Sequence, residues 1–331
     1  MLVGLEEAQS VFETLPVALQ LPTISPAYCA ADARRDPGLT PRFLLFRAGD
    51  AVLLHSVHES PVPGSGTDWQ SPYGYGGPIG VGISQPLLQE AWTQFDQAAR
   101  ERSVVAEFVR FHPLADNHLL YPGFIREDRP VVSLDLRAAD LIPTYAVRGR
   151  NTLRKAQRAG LAATWEDLPA FQDEFAALYR DAMQRIGATD YYLFGTEYFQ
   201  SLCGLPGTHV LSIRLAGRVL AAAVFLFGPD VMEYHLSATT PEGRSLGATN
   251  LLLHEAACAG KARGLTAFYL GGGTDSCPDN PLLRFKESFA AATRTFRFGG
   301  RILDPAGYDE LRRRFPDRAQ SSQRVLFYRD N

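Results

Sequence analysis

The sequence lacks the cysteine and histidine spacings that bind metals or form disulfide frameworks. Its seven histidines include no HExxH or HxH motif, and no CxxC pair occurs among its four cysteines, which are Cys29, Cys203, Cys258 and Cys277. Zinc sites and disulfide scaffolds need such residues at short, regular spacings. We therefore expect no metal and four structural cysteines. Because no cysteine has a recognisable base partner in the sequence, we also expect no covalent enzyme intermediate.

Long hydrophobic runs are also absent. The longest one, residues 219–227, is nine residues long, whereas a transmembrane helix needs roughly 20. Glu6 and Glu7 stand in the N-terminal stretch where a secretory signal would carry basic and then apolar residues. These absences predict a cytoplasmic protein with no transmembrane segment, and they leave open a lipid-linked substrate at a membrane surface.

An excess of basic charge is missing as well. The chain has 33 Lys and Arg against 36 Asp and Glu, a net charge of −3, so no global field attracts DNA. Anions must then bind at local basic patches. The 331 residues are 46% hydrophobic and 21% charged, a globular balance with enough length for about two domains.

Several common catalytic motifs do not occur. The sequence contains no GxSxG nucleophile elbow, no Walker A motif and no Rossmann fingerprint. The run GGGTD at 271–275 follows a predicted strand but precedes no clear helix. We therefore do not interpret it as a dinucleotide-binding loop.

An internal repeat is the most informative feature that is present. RFLLFRAGDAVLLHSV and HVLSIRLAGRVLAAAVFLF each predict two apolar strands, joined by turns at Gly49-Asp50 and Ala216-Gly217. In both copies a glycine-containing stretch, an amphipathic helix and a further strand follow. This order predicts an α/β protein, with mixed sheets of the α+β kind, made of two related units. Two unrelated α+β segments that share the order by chance are the alternative.

The remaining predicted elements complete this pattern. The first copy continues with YGYGGPIG (73–80), a helix over 85–102 and the strand VVAEFVRF. The second continues with the strand VMEYHLSA, the loop TTPEGRSLGATN, a helix over 248–263 and the strand LTAFYLGG. Two helices, over 150–160 and 168–186, lie between the copies. RVLFYRD, at 324–330, predicts a last strand that can pair with either sheet.

Several local motifs occur in an order that resembles the Fem-type aminoacyltransferases and their FemAB-like relatives in the GNAT superfamily. They are YGYGGP, FHP, GRNTLRKAQRAG, YHLSATTPEGRSLGATNLLLHEAACAGKARG and LGGGTDSCPDNPLLRFKESF. The resemblance implies two tandem GNAT-like domains facing each other across a cleft. We place the first at 1–148, joined by the strand 324–330, and the second, with the donor site, at 149–323.

The resemblance also implies transfer of an acyl group to an amine. In the founding members of the family the donor is aminoacyl-tRNA and the acceptor is a peptidoglycan precursor. This chain has no long coiled-coil insertion of the kind that some members use for tRNA. Three functions therefore stay open: aminoacyl transfer to a cell-envelope precursor, acyl-CoA-dependent N-acylation of an amino sugar or amino acid, and a non-catalytic binding protein.

The resemblance places Phe285 and Lys286 at the acyl-transfer site, with the lysine near the donor carbonyl. There an ammonium would stabilise a developing oxyanion or hold a phosphate; a surface lysine paired with Glu287 or Asp279 is the alternative. Tyr234 and His235 are candidate proton shuttles on one strand. Alternation puts them on opposite faces, so only one can face the cleft.

The turn before the 248–263 helix is the candidate donor site, because a helix N-terminus with a glycine favours phosphate groups. Its candidate residues, which match the GNAT pattern in part, are Arg244, Gly247, Ala248, Thr249 and Asn250. We expect no tightly bound cofactor, and an acyl donor that is either aminoacyl-tRNA or acyl-CoA.

A basic stripe and an aromatic loop are the candidate substrate-binding features. Arg154, Lys155 and Arg158 share one face of a predicted helix that has no acidic residue, which suits phosphates of tRNA or of a nucleotide-linked acceptor. Tyr73 and Tyr75, among glycines, suit an amine-bearing acceptor that is nucleotide- or lipid-linked. A solvated helix face and a plain turn are the alternatives.

Overall fold

The computed structural model describes residues 1–322 and 324–329. The chain divides into two compact units. The first comprises Met1–Asp128 and Phe296–Asn331, and the second comprises Arg129–Thr295. These limits differ from the predicted boundaries at 148 and 323, because the strand and loop over residues 129–148 pack within the second unit, and the segment after residue 295 packs within the first.

The helices alternate with strands along most of the described chain. The α-helices are α1 (Leu5–Thr14), α2 (Pro26–Asp32), α3 (Gln85–Glu101), α4 (Val147–Arg158), α5 (Leu168–Arg185), α6 (Thr196–Cys203), α7 (Pro241–Leu246), α8 (Ala248–Ala262), α9 (Pro281–Lys286), α10 (Pro305–Arg314) and α11 (Pro316–Ser321). The strands are β1 (Leu2–Val3), β2 (Thr40–Ala48), β3 (Ala51–Pro61), β4 (Thr67–Gln70), β5 (Gly77–Val81), β6 (Val104–Phe111), β7 (Phe124–Asp135), β8 (Ala162–Glu166), β9 (Thr208–Leu215), β10 (Arg218–Phe227), β11 (Val231–Thr239), β12 (Ala267–Gly272) and β13 (Ala292–Ile302).

The sheet of the first unit runs in the order β1-β2-β3-β4-β6-β13, and β5 pairs with the other end of β3. β4 and β6 are parallel, and the other neighbours are antiparallel. The predicted hairpin at Gly49 is confirmed, since Ala48 pairs with Ala51 and Gly49 has a φ of +59°. α3 packs Trp92 and Phe95 into the core of this unit.

The sheet of the second unit runs in the order β7-β12-β11-β10-β9-β8. Among these described strands only the neighbours β11 and β12 are parallel. α8 connects that pair, so the unit contains one βαβ crossover. The predicted turn at Ala216 and Gly217 is confirmed, and both residues have positive φ, as a tight hairpin turn requires.

The predicted C-terminal strand is wrong within the described residues. A bend and turn cover residues 324–326, and a 3-10 helix covers Phe327–Arg329; residue 330 lies outside the described part. Val325, Leu326, Phe327 and Tyr328 are all buried in a cluster with Tyr308 and Leu311 of α10. A run of four apolar residues is compatible with any buried segment, not only with a strand. Here the run is buried by packing against α10 and not by pairing with a strand.

A network of charged and polar side chains lies in the core of the first unit. Glu107 on β6 is fully buried, with His55 Nε2 at 2.6 Å, Arg301 Nε at 2.8 Å and the Tyr121 hydroxyl at 3.0 Å from its oxygens. Arg301 also pairs with Asp96. Burial alone would raise the pKa of Glu107, but Arg301 and His55 outweigh it and lower that pKa to about 2.

Two negative findings concern the described residues. None of their helices is long and apolar enough to cross a membrane. Within residues 1–322 and 324–329, no group of three or more His, Cys, Asp or Glu side chains is arranged to hold a metal ion.

Candidate active site

The parallel strands β11 and β12 separate partway along their length. They pair only from Val231 with Ala267 to Glu233 with Tyr269, although β11 continues to Thr239 and β12 continues to Gly272. Beyond these pairs β11 stays bonded to β10, and β12 stays bonded to β7. A wedge therefore opens between the carboxyl ends of the two strands, and the backbone edges that line it are available to a ligand.

A short helix, α9, packs against the loop that follows the end of β12. Its N-cap residue Asn280 accepts hydrogen bonds from the amides of Leu282 (3.0 Å) and Leu283 (3.2 Å), and Pro281 suits the first helical position. A Cβ on Gly273 would lie 2.5 Å from the Asn280 side chain. The glycine therefore allows this close contact, which holds the start of α9 against the loop that follows β12.

Lys286, the last residue of α9, reaches back to the same strand. Its Nζ donates a hydrogen bond of 2.7 Å to the carbonyl of Gly272, and its side chain is buried, with 7% of the residue exposed. Within the described residues no carboxylate pairs with it, because Arg284 takes both Asp279 and Glu287. Burial without a counter-charge lowers the pKa of Lys286 to about 7, so ammonium and amine are both populated near neutral pH.

The two strand residues proposed as proton shuttles face different elements. Tyr234 packs against Phe225, and its ring centre is 6.0 Å from Lys286 Nζ. Its hydroxyl donates to Ser237, and burial raises its pKa to about 12. His235 sits at a β-bulge, where its Nε2 is 3.0 Å from the hydroxyl of Tyr198 on α6. Tyr234 is therefore the one beside Lys286.

The turn between α7 and α8 forms at the carboxyl end of β11. Gly247 has a φ of +79° and is both the end of α7 and the N-cap of α8. Thr239, the last residue of β11, contacts Thr249 in the first turn of α8, with 2.7 Å between their hydroxyls. The N-terminus of α8 and Lys286 thus both lie at the edge where β11 and β12 separate.

Helix α4 lies against both parts of this edge. A Cβ on Gly149 would meet the carbonyl of Ser288 at 2.4 Å, just after α9. Thr152 packs against Gly247, where an added Cβ would be 2.6 Å from its methyl group. Gly247 is therefore needed for close packing of α4 as well as for its left-handed backbone. Lys155 donates a 2.7 Å hydrogen bond to the carbonyl of Ser245.

The predicted basic residues form an exposed surface beside this turn. Arg154, Lys155, Arg158 and Arg244 are exposed, and none of the four has a carboxylate partner among the described residues. The interaction of Lys155 with Ser245 places the stripe of α4 next to Arg244. The positive potential of these side chains adds to that of the α8 N-terminus.

The other residues predicted for the site are buried or are held by packing and backbone contacts. Ala248 and Asn250 are buried in the first turn of α8. Phe285 packs against Phe289 beside the core of the second unit. In the first unit, the backbone of Tyr73 is held by Asp32 and Tyr28, while the Tyr75 ring contacts His112 at 4.8 Å between centres.

The structure adds residues that the sequence did not single out. Gly272 provides the carbonyl that binds Lys286, and Gly149 and Thr152 set the position of α4. The GGG run belongs to the motif LGGGTDSCPDNPLLRFKESF that carries the resemblance, but nothing in the run itself indicates that the Gly272 carbonyl binds Lys286. No local pattern marks the other two, because their partners are more than 90 residues away in sequence.

The expectation that no cysteine has a base partner is wrong for Cys258. Its Sγ is 3.7 Å from Nε2 of His254, and the Tyr145 hydroxyl is 3.1 Å from Nδ1 of the same ring. The i, i+4 spacing on one helix was the overlooked signal. Burial, together with Glu255, raises the pKa of this thiol, which keeps it protonated and a poor nucleophile.

Comparison with known families gives a match over most of the second unit. Residues 147–303 match the family model of the acetyltransferase (GNAT) domain. This range includes α4, the wedge, the α7–α8 turn and Lys286. No curated protein matches the sequence.

Solved structures share the fold over nearly the whole chain. FemX has 14% identity and a TM-score of 0.71, covering 93% of this chain and 98% of its own. The C-terminal domain of a putative lysylphosphatidylglycerol synthetase from Agrobacterium fabrum has 15% identity and a TM-score of 0.60, with 91% and 92% covered. A tandem GNAT protein from the clavulanic acid biosynthesis pathway has 12% identity and a TM-score of 0.50, with 91% and 94% covered. Residues 147–303 therefore match a GNAT acetyltransferase domain, in a chain that shares its two-domain fold with FemX and with the tandem GNAT protein.

Proposed function

We propose that this protein transfers an acyl or aminoacyl group from an activated donor to an amine and so forms an amide. The observation that carries the proposal is Lys286, a buried amine with no counter-charge, at the open edge between β11 and β12. A structural lysine would be paired or exposed. Lysines whose pKa lies near neutrality are suited to proton transfer instead.

In the proposed mechanism, Lys286 acts in its neutral form. The acceptor nitrogen attacks the donor carbonyl carbon, and Lys286 Nζ accepts the proton that the nitrogen loses. The resulting ammonium then stabilises the oxyanion of the tetrahedral intermediate. When the carbonyl reforms, the bond to the leaving group breaks, and the departing thiolate or ribose oxygen takes up the proton held by Lys286 Nζ, which returns the lysine to its neutral form. Burial keeps the pKa of the lysine low, and the Tyr234 ring centre lies 6.0 Å from its Nζ.

The donor is proposed to bind at the α7–α8 turn. Its phosphates would meet the free amides of the first turn of α8, beside Gly247 and Thr249, and the charge of Arg244. Arg154, Lys155 and Arg158 extend this positive surface along α4. Such a stripe suits a polyanionic donor such as aminoacyl-tRNA.

The acceptor is proposed to be a cell-envelope precursor that carries an amine, as the resemblance to Fem-type aminoacyltransferases implies. Tyr73 and Tyr75 would form part of its site in the first unit. A cytoplasmic location, which the sequence predicts, would suit a nucleotide-linked precursor.

An acyl-CoA donor is the second candidate, and the open strand edges favour it. An extended ligand with amide groups can hydrogen-bond to the edges of β11 and β12 beyond Glu233 and Tyr269, where the two strands no longer pair with each other. Its acyl carbonyl would then lie near Lys286. The acceptor in this case would be an amino sugar or an amino acid.

Ligand-induced thermal shifts separate these candidates. We expect a rise in Tm either with a charged-tRNA analogue or with acetyl-CoA or a longer acyl-CoA, because a ligand that binds only the folded state stabilises it. Lys286→Ala should keep the same shift, since the phosphate site does not include this residue. Absence of a shift with every donor would favour a non-catalytic binding protein.

The pH dependence tests the role of Lys286. Since its neutral form accepts the proton, kcat/KM should rise with pH and level off above about 7, the pKa of this lysine. In the Lys286→Arg variant the guanidinium stays protonated at every accessible pH. This variant should therefore lose activity, and its kcat/KM should not rise with pH. A rate that falls as pH rises through 7 would show that the ammonium, rather than the amine, is the active form.

A further inference from the structure

A second, basic cavity lies in the first unit. It has a volume of about 250 Å³, and its lining comes from the loop after β3, the junction of α10 and α11, and the C-terminal 3-10 helix. The lining residues are Val62, Pro63, Arg314, Phe315, Arg318, Tyr328 and Arg329. A water molecule occupies only about 30 Å³, so the cavity has room for a small ligand.

Only one of the three arginines is neutralised within the described residues. Arg329 forms a bidentate pair with Asp68, a carboxylate that is completely buried. Within residues 1–322 and 324–329, Arg314 and Arg318 have no carboxylate partner: the first donates to the carbonyl of Pro63, and the second donates to that of Tyr328 at 2.9 Å. Carbonyl groups orient a guanidinium but do not compensate its positive charge, so the described lining of the cavity carries two positive charges without a counter-charge.

These two guanidiniums are held in place before any ligand arrives. Both lie over the ring of Phe315, at 5.2 Å for Arg314 and 5.3 Å for Arg318 from its centre. The ring itself is half-buried, and Tyr328, which orients Arg318, is buried in the same cluster as Leu311. Because the donors are already oriented, a ligand need not order them on binding.

The arginines of the cavity differ from their neighbours on α10. Arg312 and Arg313 are exposed in the last turn of that helix, and Arg313 pairs with Glu310. Basic residues at this position offset the dipole of the helix. The Arg314 side chain instead contacts the ring of Phe315 and donates to the carbonyl of Pro63. The dipole of α10 does not explain this orientation.

We propose that this cavity binds the phosphate group of a soluble molecule, such as a sugar phosphate or a nucleotide. Two guanidiniums with free N–H groups match the oxygens of a phosphate or diphosphate, which accept several charge-assisted hydrogen bonds at once. Both arginines already lie over the Phe315 ring, so recognition is proposed to rest on the phosphate and not on stacking of a base. All the residues involved belong to the first unit, so this site is independent of the role proposed for Lys286.

Titration calorimetry with pyrophosphate and with a nucleoside diphosphate tests the proposal on the full chain. We expect a dissociation constant below about 1 mM and a loss of at least about tenfold in the Arg314→Gln, Arg318→Gln double variant, because each lost bond is to a charged ligand. Arg312→Gln with Arg313→Gln removes the same charge from α10, which also carries Arg314, and is the matched control. Its affinity should stay within about twofold of that of the unaltered protein.

Three results would overturn the proposal. The first is no binding of either ligand at millimolar concentration. The second is an equal loss in both double variants, which would indicate unspecific charge attraction. The third is binding only to vesicles that contain phosphatidylglycerol, and not to the soluble phosphates, which would assign the arginines to a membrane surface. A Tm within about 4 °C of that of the unaltered protein shows that a variant is folded.

Discussion

Two buried cations, one in each unit, have opposite electrostatic surroundings. Arg301 contacts Glu107 and Asp96 and lies over the ring of Trp92, at 4.4 Å from its centre. Burial would lower the pKa of Arg301, but Glu107 raises it. Lys286 is as deeply buried, yet its polar partner is a backbone carbonyl, and burial lowers its pKa to about 7.

The difference separates a structural charge from a reactive one. A cation that is fully paired in the interior stays charged and fixes the packing around it. An unpaired amine gains and loses a proton at neutral pH, and the protein bears the cost of its desolvation. The two units thus use a buried cation in different ways, and in the second unit Lys286 lies beside the separating strands β11 and β12 and near the turn at Gly247.

Removing the counter-charge of Arg301 should have the largest effect. Glu107→Ala leaves a buried guanidinium without its main partner, and we expect unfolding by denaturant to show a loss of about 3–5 kcal/mol. Asp96→Asn is the control, because the Asp96 side chain is 36% exposed and should contribute at most about 1 kcal/mol. Equal effects in both variants would contradict a core role for Glu107.

Removing the reactive cation should affect turnover rather than folding. Lys286→Ala is expected to lower kcat by about 10²–10³-fold, the usual effect of losing a group that stabilises the transition state. Circular dichroism should remain unchanged. Arg284→Ala, on the exposed side of the same helix, is the control and should retain most activity. Near-normal turnover of the Lys286 variant would remove this residue from the mechanism.

The desolvation of Lys286 should also be visible in stability. Its folded pKa is about 7, below the ordinary value of 10.5, so between these pH values the unfolded chain binds the extra proton. Wild-type stability should therefore rise with pH by at most about 1.4 kcal/mol per unit over this window. The Lys286→Met side chain does not titrate. This variant should have a larger free energy of unfolding than wild type below pH 7, and the difference between the two proteins should decrease toward pH 10. A gap that is independent of pH would contradict the buried-amine interpretation.

The exposed cations near the donor turn should have the smallest effect. Arg154→Glu with Lys155→Glu should raise the apparent KM several-fold and make it less sensitive to salt, because the donor then meets fewer positive charges. Arg180→Glu, on the exposed face of α5, is the control for an unspecific change in charge. An unaltered salt response would exclude the stripe from donor binding.

The two hairpins, β6 and α8 were predictable from the sequence, since strand alternation, turn glycines and helical periodicity are local signals. Local signals do not predict the burial of Lys286, because RFKE looks like an exposed turn with its own acidic partners, and only the family resemblance places this residue at the site. Its environment depends on Gly272 and on Tyr234, which is 52 residues away. The C-terminal segment shows the reverse error: VLFY has the composition of a strand, but tertiary contacts with α10 determine its structure.

One consequence follows from the contacts of α4. Gly149 and Thr152 are three residues apart, roughly one helical turn, and they touch the segment after α9 and the α7–α8 turn, respectively. The helix therefore acts as a spacer of fixed length between the two halves of the site. Inserting a single residue between these positions would rotate one contact by about 100° relative to the other, so evolution can lengthen the neighbouring loops far more freely than this stretch.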